Sequence, residues 1–181
     1  MFRISDFEIS DLFMYIQASQ LIGHALVALE SRQVIGRVER PIFDPTKGQL
    51  VALTIRSRGW FGKKQLLAAS DILGVEPGFV LTRKLDDLVE PKELIRVQDI
   101  IKAKMPILGQ QAVTESGQSL GQITDVLLDT DAWLIIKYYL HQLLSERILL
   151  AEDVQAITKK AVVFFDRVNG PLPADAETAV A

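Results

Sequence analysis

A pattern of glycines and aspartates occurs twice in this chain, and it limits the possible folds more than any other feature. Leu108 to Asp129 runs through a glycine, an apolar segment, a polar turn, a second glycine and an apolar run that ends in aspartate, and Ile22 to Asp44 has the same order. Gly109 answers to Gly23, Gly121 to Gly36 and Asp129 to Asp44, at offsets of 86, 85 and 85 residues. Glycines and turn aspartates hold backbone conformations that other side chains cannot easily replace, so a near-constant offset between them marks one supersecondary unit used twice. Further on, Leu67, Asp71, Ile72 and Val80 answer to Leu149, Asp153, Val154 and Val162 at an offset of 82, so the second copy has a shorter loop ahead of them. The length of 181 residues then divides into two units of about 80 residues each.

Within each unit the pattern is that of short strands. In the first copy, residues 25–29, 34–42 and 49–55 are apolar-rich runs punctuated by Glu30–Gln33 and by Asp44–Gly48, and Val51, Leu53 and Ile55 alternate with period two. A closing strand is expected at Phe79–Thr82, after Pro77 and Gly78. Pro41 cannot donate to a ladder and is expected at a bulge or sheet edge; its counterpart is Val126, where the second copy should pair more regularly. Residues 1–16 form an extension in which Ile9, Leu12, Phe13 and Ile16 have helical spacing. The copies span residues 17–84 and 105–168, with a connector over 85–104 in which Pro91 suits a helix start and Leu94, Val97 and Ile101 share a face. From 169 onward, prolines and small residues read as a disordered tail.

Charge and composition narrow the function classes. A net charge of −3 and a pI near 5.4 argue against a surface built as a whole for nucleic acid, which is expected here only through a complex. The absence of cysteine removes disulfides, thiolate metal sites and cysteine nucleophiles, and it fits the cytoplasm. Asp6, Glu8 and Asp11 interrupt any signal-like apolar run, and Lys137 interrupts the apolar segment around Trp133 to Leu140, so no transmembrane segment is expected.

Several segments together carry a family likeness. Gly23-His-Ala-Leu-Val27, Val34-Ile-Gly-Arg-Val38, Phe43-Asp-Pro45 and Leu66-Leu-Ala-Ala-Ser-Asp-Ile72 resemble the PRC-barrel family. Leu108-Gly-Gln-Gln-Ala-Val113, Leu120-Gly-Gln-Ile-Thr-Asp-Val-Leu-Leu-Asp129 and Ile148-Leu-Leu-Ala-Glu-Asp-Val154 resemble it again. The likeness implies an all-β chain of two tandem small PRC-type β-barrels joined by a short helical connector. It includes the extramembrane part of the photosynthetic reaction-centre H subunit and the C-terminal domain of a ribosome maturation factor, whose barrels dock proteins. A non-enzymatic protein-interaction or assembly module follows from the resemblance. The alternatives are a small-molecule-binding protein or enzyme with a pocket between the barrels, or a ribosome-maturation-like factor binding RNA or protein. A homodimer is left open.

The residues themselves offer little catalytic chemistry. His24 and His141 are the only histidines and fall at unrelated places of the two copies, so no nucleophile, base and orienting group can be assembled from the pattern. Asp125, Asp129 and Asp131 lack the spacing of a calcium loop and read as a turn, and no cofactor or metal is expected. Gly23, Gly36, Asp44, Asp71, Gly109, Gly121, Asp129 and Asp153 read as structural positions of the repeat. The most distinctive local chemistry is Arg56, Arg58, Trp60, Phe61, Lys63 and Lys64, four cations around two large aromatics. Aromatic anchors beside arginine concentrate binding energy at interfaces, so this hairpin is the candidate interaction surface.

Overall fold

The computed structural model describes residues 15–57, 64–103, 105–143 and 145–169. The described residues open with strand β1 (Tyr15–Gln17) and a one-turn helix α1 (Ala18–Leu21). The first copy follows as β2 (Ala25–Ala28), β3 (Gln33–Asp44), β4 (Gln49–Ser57), β5 (Lys64–Ala68), a 3-10 turn at Ala69–Asp71, β6 (Gly74–Glu76) and β7 (Phe79–Thr82). The connector holds the two-residue strand β8 (Leu88–Val89) and helix α2 (Ile95–Ala103). The second copy repeats the series as β9 (Gln111–Thr114), β10 (Ser119–Asp129), β11 (Ile135–Gln142), β12 (Ser145–Leu150), a 3-10 turn at Ala151–Asp153, β13 (Val154–Ile157) and β14 (Ala161–Phe164). No helix among the described residues is long and apolar enough to cross a membrane.

Each copy makes its own sheet, and the chain is mostly β with few helices. The first sheet has the order β6-β7-β2-β3-β4-β5-β8, and the second has the order β12-β11-β10-β9-β14-β13 with β1 added beside β10. In both, the last long-range return is parallel: β7 lies beside β2, and β14 beside β9. Ile16 therefore belongs to a strand, paired with Leu128, and not to the helix that its spacing with Leu12 and Phe13 suggests. Main-chain pairing to β10 outweighs the helical periodicity at that point. The rest of the extension, residues 1–14, and the tail from residue 170 lie outside the described residues.

The repeat extends to bulges and hydrogen bonds. The β3–β4 ladder shifts register between Val38 and Arg40 and between Ile42 and Phe43; the β10–β11 ladder shifts between Ile123 and Asp125 and between Leu127 and Leu128, the same places at an offset of 85. The expectation that the second copy pairs more regularly near Val126 is thus overturned. The bulges belong to the fold and not to Pro41, which pairs across to Leu53 between the two shifts and has no strand on its other side among the described residues. Gly23 N–H donates to Val38 O and Gly109 N–H to Ile123 O, at 2.9 and 2.8 Å. Gly36 and Gly121 sit where a neighbouring strand crowds β3 and β10: a Cβ on Gly36 would stand 2.9 Å from Arg56 O, and one on Gly121 would stand 2.5 Å from His141 O, with φ +111 besides.

The two copies meet through their equivalent hairpins. Gln49 bridges antiparallel to Leu134, its own repeat counterpart, flanked by Leu50 N–H to Trp133 O and Ile135 N–H to Gly48 O, both 2.8 Å. Pairing a residue with its own counterpart is the signature of a two-fold relation, here between copies in one chain. The buried apolar residues of both sheets form one contiguous cluster, from Leu26 and Leu53 to Ile123 and Phe164. A second, smaller cluster of Ala52, Leu66 and Val97 lies on the outer face of the first sheet, under α2. For that reason β4 is buried on both faces, Ala52 and Thr54 as well as Leu53 and Ile55, where period two alone predicts one buried face.

Candidate functional site

Of the six residues of the candidate hairpin, Arg56 and Lys64 are placed opposite each other in the β4–β5 ladder, while Arg58, Trp60, Phe61 and Lys63 lie outside the described residues. Both placed cations face one carboxylate. Arg56 Nε donates to Glu39 Oε1 at 2.6 Å, and Lys64 Nζ lies 3.9 Å from Glu39 Oε2. Glu39 therefore offsets part of the positive charge that makes the hairpin distinctive in sequence; exposed pairs of this kind stabilise by about 1 kcal/mol or less.

Several of the titratable side chains have ordinary structural roles. His24 accepts the Gly78 N–H on Nε2 at 3.2 Å, and partial burial lowers its pKa from the ordinary value. His141 is exposed on β11. Asp129 Oδ1 accepts the N–H groups of Asp131 and Ala132, closing a turn, and no group of metal-binding side chains is found among the described residues. Asp44 does the same for Thr46 and also pairs with Arg96 at 3.1 Å. Burial alone would raise the Asp44 carboxyl, but the bonds from the Thr46 hydroxyl and N–H and from Arg96 outweigh it and hold the pKa below the usual range.

One pair of carboxylates has opposed shifts, a pattern that acid–base sites use. Asp71 is raised, by burial and by the Asp87 charge beside it. Asp87 is lowered, because acceptance from the Thr82 hydroxyl and from the N–H groups of Lys84 and Arg83 outweighs burial. Those bonds tie Asp87 to the start of the 3-10 turn Leu85–Asp87, a structural role for the ionised member of the pair. Burial also pushes the Tyr138 phenol up to about 12, so it stays neutral in the core.

Two surfaces stand out among the described residues. The first is the outer face of the second sheet. Leu66 lies opposite Thr54, and Ile148 opposite Tyr139, so the two are repeat counterparts. Leu66 is only 2% exposed, because β8 pairs along β5 at Leu66 and Leu67 and Val97 of α2 packs over it. Ile148 is 56% exposed, and β12 is an edge strand with no such cover among the described residues. Leu150 is exposed two residues along the same strand, and Lys137 stands where the first copy has the buried Ala52.

The second surface is a groove of about 350 Å³ between β3 and the end of α2, lined by Arg40, Pro41, Phe43, Ile101, Met105 and Ile107 among others. Among the described residues Arg40 is the only charged one in its lining. Sequence reasoning missed both surfaces. What leaves β12 bare is the absence of a cover that the first copy has, and only the three consecutive apolar residues Ile148–Leu150 hint at it.

No protein-family model matches this chain, and no curated protein matches it.

Proposed function

We propose that the chain is a non-enzymatic tandem PRC-barrel protein, two small barrels on one chain, that acts as a protein-interaction or assembly module. The duplicated sheet topology, with the same bulges and glycine contacts in each copy, supports the tandem-barrel reading. The observation that carries the functional reading is the contrast between Leu66 and Ile148, at 2% and 56% exposure. The first copy covers this face with its own connector. The second presents apolar side chains along an unpaired strand edge, the arrangement that accepts a strand from another protein. Lys137 in place of Ala52 favours a partner that brings a carboxylate to the centre of the face.

Catalysis gains no comparable support. Among the described residues the groove beside β3 has one charged lining residue, where a substrate site gathers several convergent polar groups. The test is capture from the native cell by the tagged chain and by an Ile148→Asp, Leu150→Asp variant that keeps its circular dichroism spectrum. A stoichiometric protein held by the first and lost by the second is the expected result. Equal capture by both would remove this face from the account.

A further inference from the structure

The repeat assigns a strand to the place where the groove lies. In the second copy, β1 pairs with β10 over Leu127–Asp129, and the offset of 85 carries those positions to Ile42–Asp44 of β3. There β2 has already left β3, its last ladder pair being Ala25 with Arg37, and no described strand takes its place. The segment that corresponds to β1 is the end of α2, around Ile101–Ala103, which is helical and packs beside β3 without joining the ladder. The groove is the space left between them.

The chemistry at its mouth is reversed in sign relative to the occupied site. Asp125 Oδ1 accepts the Val126 N–H at 2.8 Å and the Ser19 N–H at 3.1 Å, and its other oxygen accepts the Ser19 hydroxyl. Their counterparts are Arg40 and Pro41. Proline has no N–H to satisfy, so the neighbouring residue is released from the role of acceptor. Arg40 is exposed, lines the groove, and its side chain makes no hydrogen bond or ion pair with the described residues. Where Asp125 holds donors, a guanidinium holds a carboxylate.

We propose that this groove docks an extended segment of a partner protein, with an apolar side chain placed as Ile16 is in the second copy and a carboxylate three residues after it, where Ser19 lies. Ile16 is 7% exposed in its seat, so the apolar position is an anchor and not a rim contact. The carboxylate meets Arg40 and sets the direction in which the segment lies. The site is separate from the β12 face, and the loss of either leaves the other intact.

The probe is an acetylated, amidated peptide with the sequence of this chain's own residues Tyr15–Ser19 carrying Ser19→Glu, compared with the same peptide carrying Ser19→Lys. Both are titrated into the isotope-labelled full chain and followed by NMR. The Glu peptide is expected to move the signals of Ile42, Phe43, Ile101 and Ile107 and to bind at least about tenfold more tightly than the Lys peptide. Arg40→Glu, at an exposed position, is expected to reverse that order. Equal binding of the two peptides, an unchanged order in Arg40→Glu, shifts confined to other residues, or no shift at millimolar peptide each overturns the proposal. Should dodecanoate move the same signals while the peptide does not, the groove takes an amphiphile. Should the peptide bind only after residues 1–14 are removed, the chain fills its own groove. Either result rejects a partner segment.

Discussion

Truncating the two counterpart side chains separately measures how much cover each sheet has. Leu66→Ala and Ile148→Ala each remove three carbons. At about 0.8 kcal/mol per buried methylene, full burial of three carbons contributes about 2.4 kcal/mol, and the cavity left in a packed site raises the loss toward the middle of the roughly 2–5 kcal/mol range. Leu66 is 2% exposed and sits between β8 and Val97, so its loss should be about 3 kcal/mol. Ile148 is 56% exposed, so half or more of the same term is absent and the loss should be about 1 kcal/mol. Because the two sheets share one apolar cluster, a single cooperative transition in urea is expected. With a slope of about 2–3 kcal/mol per molar, Leu66→Ala should lower the midpoint by about 1–1.5 M and Ile148→Ala by about 0.5 M or less. Equal midpoint shifts would mean that Ile148 is covered in the folded chain, and the reasoning from exposure to docking would be wrong.

The glycines and the histidine give further checks by the same urea assay. Gly121→Ala combines a positive φ with a close backbone oxygen and should destabilise by about 2–5 kcal/mol, Gly36→Ala by about 1–3, and Gly109→Ala, with φ +81 but open space around it, by about 1–2; a different order would refute the roles assigned to them. Partial burial lowers the His24 pKa in the fold, so the unfolded chain takes up a proton first: stability present above about pH 6.5 should fall as the pH drops below it, until the folded histidine itself protonates. His24→Gln, the residue that stands at Gln110 in the second copy, should flatten that part of the pH profile, and an unchanged slope would contradict the assignment. The double variant His24→Gln, His141→Gln should leave the biological activity of the chain intact in cells, and its loss in a folded variant would point to a catalyst.

Much of the fold was legible because its constraints are local. Gly23 and Gly109 begin each copy at positive φ, and Asp44 and Asp129 close each long hairpin by accepting main-chain N–H groups, so the same residue types recur wherever the same turns recur. The closing strand Phe79–Thr82 and the burial of Val97 on α2 were readable for the same reason, whereas Leu94 precedes the helix and Ile101, expected on the same face, is 44% exposed. Long-range partners were not. Nothing in Tyr15-Ile16-Gln17 says that it pairs with the second copy and not the first, and the bulges attributed to Pro41 are imposed by a bend that the proline-free copy also makes. The site was less legible still. Arg56 and Lys64 attract attention as cations, yet the carboxylate that faces them comes from a neighbouring strand, at Glu39. Ile148 looks like any strand residue until its counterpart is seen under β8 and α2.

In the proposed reading β12 is open in the free chain and covered in its complex. Amide hydrogen exchange on β12 and β5 tests it, first in the purified chain and then in the complex captured from the native cell. Ile148 and Leu149 should exchange faster than Leu66 and Leu67 in the free chain, and in the complex they should slow by about tenfold or more while β5 is unchanged. Protection of β12 equal to that of β5 in the free chain, or unaltered exchange at Ile148 in the complex, would contradict it.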